Sequence, residues 1–111
     1  MSRVEAAKVI RNFISGEGTA YEWDDFETAS HGETDIDLAL KLCWFFAAKF
    51  PAQSKSEYCA SEANGYFLKI ADLLENGTLA KIPADEARNQ LSRGLLPDGL
   101  RQYVPNLEET R

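Results

Sequence analysis

The chain has 111 residues, of which 44% are hydrophobic and 11% aromatic, with only four prolines and seven glycines. This length and composition exclude a disordered chain and predict one domain, residues 1–111, with a single hydrophobic core that needs neither disulfides nor metals. The formal net charge of -6 argues against direct binding of DNA or RNA, because nucleic-acid phosphates need a positive protein face.

The first predicted helix begins at a capping box formed by Ser2 and Glu5. Apolar residues then recur every three or four positions, as on one face of a helix: Val4, Ala7, Ile10, Phe13 and Ile14. We expect this helix to end near Ile14, because Gly16 and Gly18 follow. The same stretch lacks an apolar run of signal-peptide length, so we expect neither secretion nor membrane insertion, and a cytoplasmic location.

The segment between Asn12 and Leu40 contains no Lys or Arg but holds eight acids: Glu17, Glu22, Asp24, Asp25, Glu27, Glu33, Asp35 and Asp37. The rest of the chain has 10 acids and 12 bases, so the negative charge of the protein is local. We interpret residues 17–33 as an acidic loop with at most one short helical turn at residues 22–26. Charge of one sign on one side of a small protein attracts a basic partner and speeds association.

Three aromatic residues, Tyr21, Trp23 and Phe26, lie inside this acidic block. Aromatic side chains among carboxylates combine steering charge with anchor area, as in interfaces that face a surface rich in Arg or Lys. The sequence therefore predicts a partner-binding site made of Glu17, Tyr21, Glu22, Trp23, Asp24, Asp25, Phe26, Glu27, Glu33 and Asp35. The alternative is a solvated acidic loop whose aromatic side chains fold back onto the core.

Two further helices follow the acidic block. The first opens at Thr34 and ends at Pro51, because the residue before a proline is biased out of helical geometry. The second opens with a capping box of Ser54 and Glu57 and closes at residues 76–77. Both carry apolar residues at helical spacing.

A fourth helix is predicted from Pro83 to Arg93, followed by a short helical turn. No run alternates apolar and polar residues between hairpin dipeptides, so strands are not required. The sequence predicts an all-α, compact single-domain helical bundle of about four main helices. Its expected core contains Ile10, Phe13, Leu40, Cys43, Ala47, Phe50, Phe67, Ile70 and Leu74.

The residues that could carry chemistry form no catalytic or metal-binding pattern. Cys43 and Cys59 form no CxxC pair, and we expect two buried free thiols. Glycine-rich phosphate cradles, a GxSxG elbow and an EF-hand spacing are all missing from the sequence. We therefore expect no enzyme activity, no cofactor and no metal.

The string Tyr21-Glu22-Trp23-Asp24-Asp25-Phe26, which follows Gly16 and an amphipathic first helix, resembles a pattern in the small acidic helical immunity proteins that neutralise bacterial toxins. Cys43 on a helix ending at Phe50-Pro51, and the pair Tyr58-Cys59 after it, resemble the same group. The similarity covers about residues 4–74. The family pattern shortens or lacks the region after residue 74, whereas this chain adds residues 78–111.

Two classes of function compete on these observations. The resemblance implies a stoichiometric inhibitor whose acidic, aromatic loop binds a basic protein toxin, such as a nuclease with a groove built for phosphates. The alternative is a small-ligand-binding or enzymatic helical domain with a pocket near Tyr21, Trp23, Trp44 and Tyr66. The sequence leaves the oligomeric state open.

Overall fold

A computed structural model of the protein describes residues 2–18, 20–28, 34–54 and 58–103. Within these ranges there are five α-helices: α1 (Arg3–Ser15), α2 (Ala20–Thr28), α3 (Thr34–Lys49), α4 (Asn64–Glu75) and α5 (Ala84–Ser92). Short 3-10 turns occupy Ser61–Ala63, Leu79–Lys81 and Asp98–Leu100. The described residues form no strand, only an isolated bridge between Pro51 and Cys59. The predicted all-α single-domain bundle is confirmed.

The predicted ends of α1 and α3 are close to those in the structure. The Ser2 hydroxyl accepts a hydrogen bond from the Glu5 amide at 3.1 Å, and the Glu5 carboxylate accepts one from the Ser2 amide, so the capping box is present. Gly16 closes α1 in the left-handed conformation, with φ of 78°, which glycine adopts without a Cβ penalty. α3 ends just before Phe50-Pro51, as the proline predicts.

The core forms where α4 packs against both α1 and α3. It buries six of the predicted core residues (Ile10, Leu40, Cys43, Phe67, Ile70 and Leu74), while Phe13, Ala47 and Phe50 are half-buried at its margin. Arg11 of α1 bonds to Asp72 of α4 at 2.7 Å and also pairs with Glu75. The hydrogen bond to Asp72, and after it the bond to Glu75, raises the pKa of the Arg11 guanidinium. Among the described residues no helix is long and apolar enough to cross a membrane.

Two sequence-based boundaries are wrong. The acidic segment is not a loop with one short turn, because residues 20–28 form the complete helix α2. The helix expected after Ser54 instead begins with the turn at Ser61–Ala63. The helix does not begin earlier because the backbone amide of Ala60 donates a hydrogen bond of 2.8 Å to the backbone carbonyl of Phe50. This bond holds the residues just before the turn alongside the end of α3. Glu57, the second half of the predicted capping box, lies outside the described residues.

Candidate functional site

α2 divides the predicted site between two opposite faces. Tyr21, Asp24, Asp25 and Thr28 are exposed and recur at spacings of three and four, so they share the outer face of the helix. Tyr21 is 80% exposed. Residue Glu17, in the turn before α2, is also exposed. We call Glu17, Tyr21, Asp24 and Asp25 the acidic face.

Trp23 and Phe26 lie on the inner face of α2 and belong to the core. Trp23 is 4% exposed and Phe26 is fully buried. The Trp23 ring stacks on Phe13 of α1 with centroids 4.1 Å apart and an interplanar angle of 14°. The prediction that these two aromatic residues contact a partner is wrong for the folded chain, and the alternative, in which they fold back onto the core, is right for both.

Glu27 joins α2 to two aromatic residues from other parts of the chain. One of its carboxylate oxygens, Oε2, accepts hydrogen bonds from the Trp44 indole Nε1 and from the Tyr58 hydroxyl, each at 2.8 Å. Trp44 is 42% exposed and Tyr58 43%, so the cluster lies at the surface. The Glu27 carboxylate therefore has a structural role, because it bonds to two side chains of the same protein. The acids of the acidic face make no such bonds to Trp44 or Tyr58. Glu22, also on α2, is half-buried.

The Tyr58 hydroxyl is the chemically most perturbed group of this cluster. Partial burial, followed by the hydrogen bond and the negative charge of Glu27, raises the pKa of the Tyr58 phenol. The Trp23 indole N–H has a small opposing effect on that pKa, although it has no partner that meets hydrogen-bond geometry. A phenol held neutral by a neighbouring carboxylate is a hydrogen-bond donor to Glu27 and not a base.

The remaining predicted acids fall into different environments. Asp35 is only 6% exposed and forms an ion pair with Arg3 of α1, so it does not lie on an open partner-binding surface. Glu33 lies outside the described residues. Asp37, the last acid of the block, pairs with Lys41 at 2.7 Å and with Arg88 at 3.4 Å. Lys41 is one helical turn from Asp37, whereas Arg3 and Arg88 are cations that the fold brings from distant parts of the chain.

A pocket of about 540 Å³ lies between α3 and α5. Residues 41, 44, 45, 48 and 49 form its α3 side and residues 88, 91 and 92 its α5 side, each set at the spacing of one helical face. The lining residues are Lys41, Trp44, Phe45, Ala48, Lys49, Arg88, Leu91, Ser92 and Gly94. The helical spacing of these α3 residues in the sequence is the signal that could have revealed this second face.

The predicted alternative pocket, near Tyr21, Trp23, Trp44 and Tyr66, is not formed by those four residues together. Trp44 lines the α3–α5 pocket, whereas Tyr21 is exposed on α2 and Trp23 is in the core. Tyr66 stacks on Phe46 with centroids 4.6 Å apart. Of these four residues, only Trp44 therefore lines the pocket between α3 and α5.

Both cysteines are buried free thiols, as predicted. Burial raises the pKa of the Cys43 thiol, with smaller contributions from Cys59 and Glu27. A buried thiol with a raised pKa is a poor nucleophile. The described residues also contain no group of three His, Cys, Asp or Glu side chains arranged to hold a metal ion.

Comparisons of the chain with models of protein families, with curated proteins and with solved structures give no match.

Proposed function

We propose that this protein is a stoichiometric inhibitor that binds a basic protein toxin through the acidic face of α2 and performs no chemistry of its own. The observation that carries the proposal is Tyr21, which is 80% exposed on a helix face that it shares with two carboxylates. An exposed aromatic ring beside negative charge provides an anchor and a steering field together. The resemblance to toxin-immunity proteins supports the same function.

The electrostatics of the acidic face support a charged partner. In the part of the chain that the structure describes, no ion pair involves Glu17, Asp24 or Asp25. Their charges are thus not neutralised by an ion pair with any described residue, and all three side chains are exposed to solvent. A nuclease is a suitable class of partner, because its substrate groove must be positive to hold phosphates. Carboxylates placed over such a groove would occupy the position of those phosphates and block the substrate.

The described part of the added C-terminal region, residues 78–103, does not cover this face. α5 packs against α3, and Tyr21, Asp24 and Asp25 remain exposed in the presence of all described residues up to Tyr103. The burial of Trp23 changes the expected anchor of the interface. Tyr21 takes the place of Trp23, because it is the aromatic residue of α2 that a partner can reach.

The experiment measures binding kinetics against the purified product of the adjacent gene at two salt concentrations. Asp24→Asn combined with Asp25→Asn should slow association and flatten its dependence on salt, since exposed charges act mainly on the association rate. Tyr21→Ala should instead accelerate dissociation and weaken binding by roughly 2 kcal/mol, as expected for a central aromatic anchor.

A matched control removes the same charge elsewhere. Asp85→Asn with Glu86→Gln neutralises two adjacent exposed acids at the start of α5, a helix that contributes no residue to the acidic face. This pair should leave the association rate nearly unchanged. Full affinity in both the acidic-face double variant and Tyr21→Ala, with a partner that does bind the wild type, would exclude this interface.

A further inference from the structure

We propose that the α3–α5 pocket binds a small aromatic carboxylate. This goes beyond the toxin-binding function and is independent of it, because the acidic face contributes no residue to the pocket. The volume of about 540 Å³ is within the range of roughly 300–1,000 Å³ that is usual for small-molecule sites. The proposal follows from the shape, the aromatic lining and the charge of the pocket.

The wall of the pocket favours a flat apolar body. Trp44 and Phe45 present ring surface from α3, while Ala48 and Leu91 complete the apolar lining. Trp44 is held in place at its polar edge, because its indole N–H donates to Glu27 at 2.8 Å. Its remaining ring surface is available to an aromatic ligand, and aromatic rings prefer offset-stacked or edge-on contact with each other.

The charge around the pocket selects an anion. Its lining includes the cations Lys41, Lys49 and Arg88 and no carboxylate, although the whole chain is acidic. Lys41 and Arg88 share one carboxylate, that of Asp37. Lys49 has no ion pair among the described residues; its ammonium lies 5.5 Å from the centre of the Phe45 ring.

This distribution indicates a ligand with one negative charge. Of the three cations that line the pocket, Lys49 is the one with no ion pair among the described residues, and its ammonium lies over the Phe45 ring of the pocket wall. In a carboxylate attached directly to an aromatic ring system, the negative charge lies at the edge of the apolar surface. The charge can then face Lys49 while the rings contact the apolar wall of the pocket. Lys41 and Arg88, already bonded to Asp37, would add longer-range attraction and not a second full ion pair.

The test uses 2-naphthoate and its neutral analogue 2-naphthamide, which have the same ring system. The chain has two tryptophans, so ¹H–¹⁵N spectra resolve two indole signals, which Trp44→Phe assigns. 2-Naphthoate should shift the Trp44 signal saturably and leave the Trp23 signal, which comes from the core, nearly unmoved. Lys49→Gln should weaken 2-naphthoate binding about tenfold, the effect of losing one charge-assisted contact.

Three controls separate binding in the pocket from general electrostatic attraction. Lys8→Gln removes an exposed positive charge on α1 and should change the affinity less than about twofold. 2-Naphthamide should bind the wild type about tenfold more weakly than 2-naphthoate, and Lys49→Gln should not weaken it further. Ala48→Trp fills the pocket from an exposed position of α3 and should abolish binding of both compounds.

Several results would overturn the proposal. One is the absence of any Trp44 shift at about 1 mM 2-naphthoate, where even a weak specific site is half occupied. Equal affinity for the acid and the amide would contradict the role of charge, as would equal losses in Lys49→Gln and Lys8→Gln. Undiminished binding to folded Ala48→Trp, verified by circular dichroism, would place the site elsewhere. If Ala48→Trp does not fold, the Lys49 and Lys8 variants still decide the question.

Discussion

The acids of α2 and those of α3 come from the same cation-free segment, but their surroundings differ. Asp24 and Asp25 of α2 are exposed, and no ion pair of the described residues includes them. Asp35 of α3 is buried against Arg3, 32 positions earlier in the chain, and Asp37 pairs with Arg88, 51 positions later. A charge pattern in a sequence therefore describes the segment alone, because a folded chain supplies counter-charges from distant positions.

The α2 region also shows how a short helix obtains its stability. α2 has nine residues, too few to be stable as an isolated helix in water. It forms because Trp23 and Phe26 bury their rings against α1 and the core. The outer face of α2 is then free to carry charge, since packing of the inner face supplies the stabilisation.

The largest expected effect on stability is that of Trp23→Ala, compared with Tyr21→Ala on the opposite face of α2. Trp23→Ala removes a ring that stacks on Phe13 and should lower the free energy of unfolding by about 3–5 kcal/mol. Tyr21→Ala, at the exposed face, should change it by no more than about 0.5 kcal/mol. Urea denaturation of both variants measures the difference. Similar losses in the two would contradict the division of α2 into inner and outer faces.

The next effect concerns the ion pair between Arg3 of α1 and the buried Asp35 of α3. Arg3→Ala leaves the Asp35 carboxylate, which is 6% exposed, without its cation. Breaking a fully buried pair costs about 3–5 kcal/mol, but the Arg3 side chain is 52% exposed, so we expect about 1–3 kcal/mol. Guanidinium denaturation would measure this loss. Replacing Asp35 by Ala as well should recover part of it, and a double variant less stable than Arg3→Ala alone would argue against the stranded charge as the cause.

A smaller effect is expected from Tyr58→Phe, which removes one of the two hydrogen bonds to Glu27. The loss of stability near neutral pH should be about 1 kcal/mol. The raised pKa of Tyr58 means that the folded protein favours the neutral phenol more than the unfolded chain does. The stabilisation is therefore complete below the unfolded pKa of about 10 and is lost as the pH rises above it.

Unfolding experiments at about pH 8 and about pH 10.5 test this linkage, because ionisation of the unfolded chain begins between them. The wild type should lose more stability than Tyr58→Phe over this interval. An identical loss in both proteins would show that another group causes the alkaline destabilisation.

The smallest effect on stability is predicted for the acidic face. Asp24→Asn with Asp25→Asn should change the free energy of unfolding by at most about 0.5 kcal/mol, with a slight gain at low salt because repulsion between like charges is relieved. The α5 pair Asp85→Asn and Glu86→Gln should instead lose about 0.3–1 kcal/mol, since acids in a first helical turn interact favourably with the helix dipole. Thermal unfolding at low and high salt compares the two. A larger loss from the α2 pair would mean that these acids have structural partners.

Much of the helical framework could be predicted from local sequence, whereas the site could be predicted only in part. Ser2, Gly16 and Pro51 act on the backbone within a few residues, so they mark helix ends independently of the rest of the fold. The start of α4 was missed because the Ala60 amide bonds to the Phe50 carbonyl, a contact that no local signal indicates. Helix α2 was missed because its stability depends on burial and not on the helix propensity of its residues.

Sequence alone determined the all-α class, most of the core positions, and the presence of a cation-free acidic segment that includes Tyr21. Only the tertiary structure decided that Trp23 is buried while Tyr21 is exposed, and that Arg3 and Arg88 neutralise acids of α3. It also decided that α3 and α5 form a pocket with a positive rim. The physical reason is one of range: caps and periodicity act within a few residues, whereas burial and ion pairing depend on which helices meet.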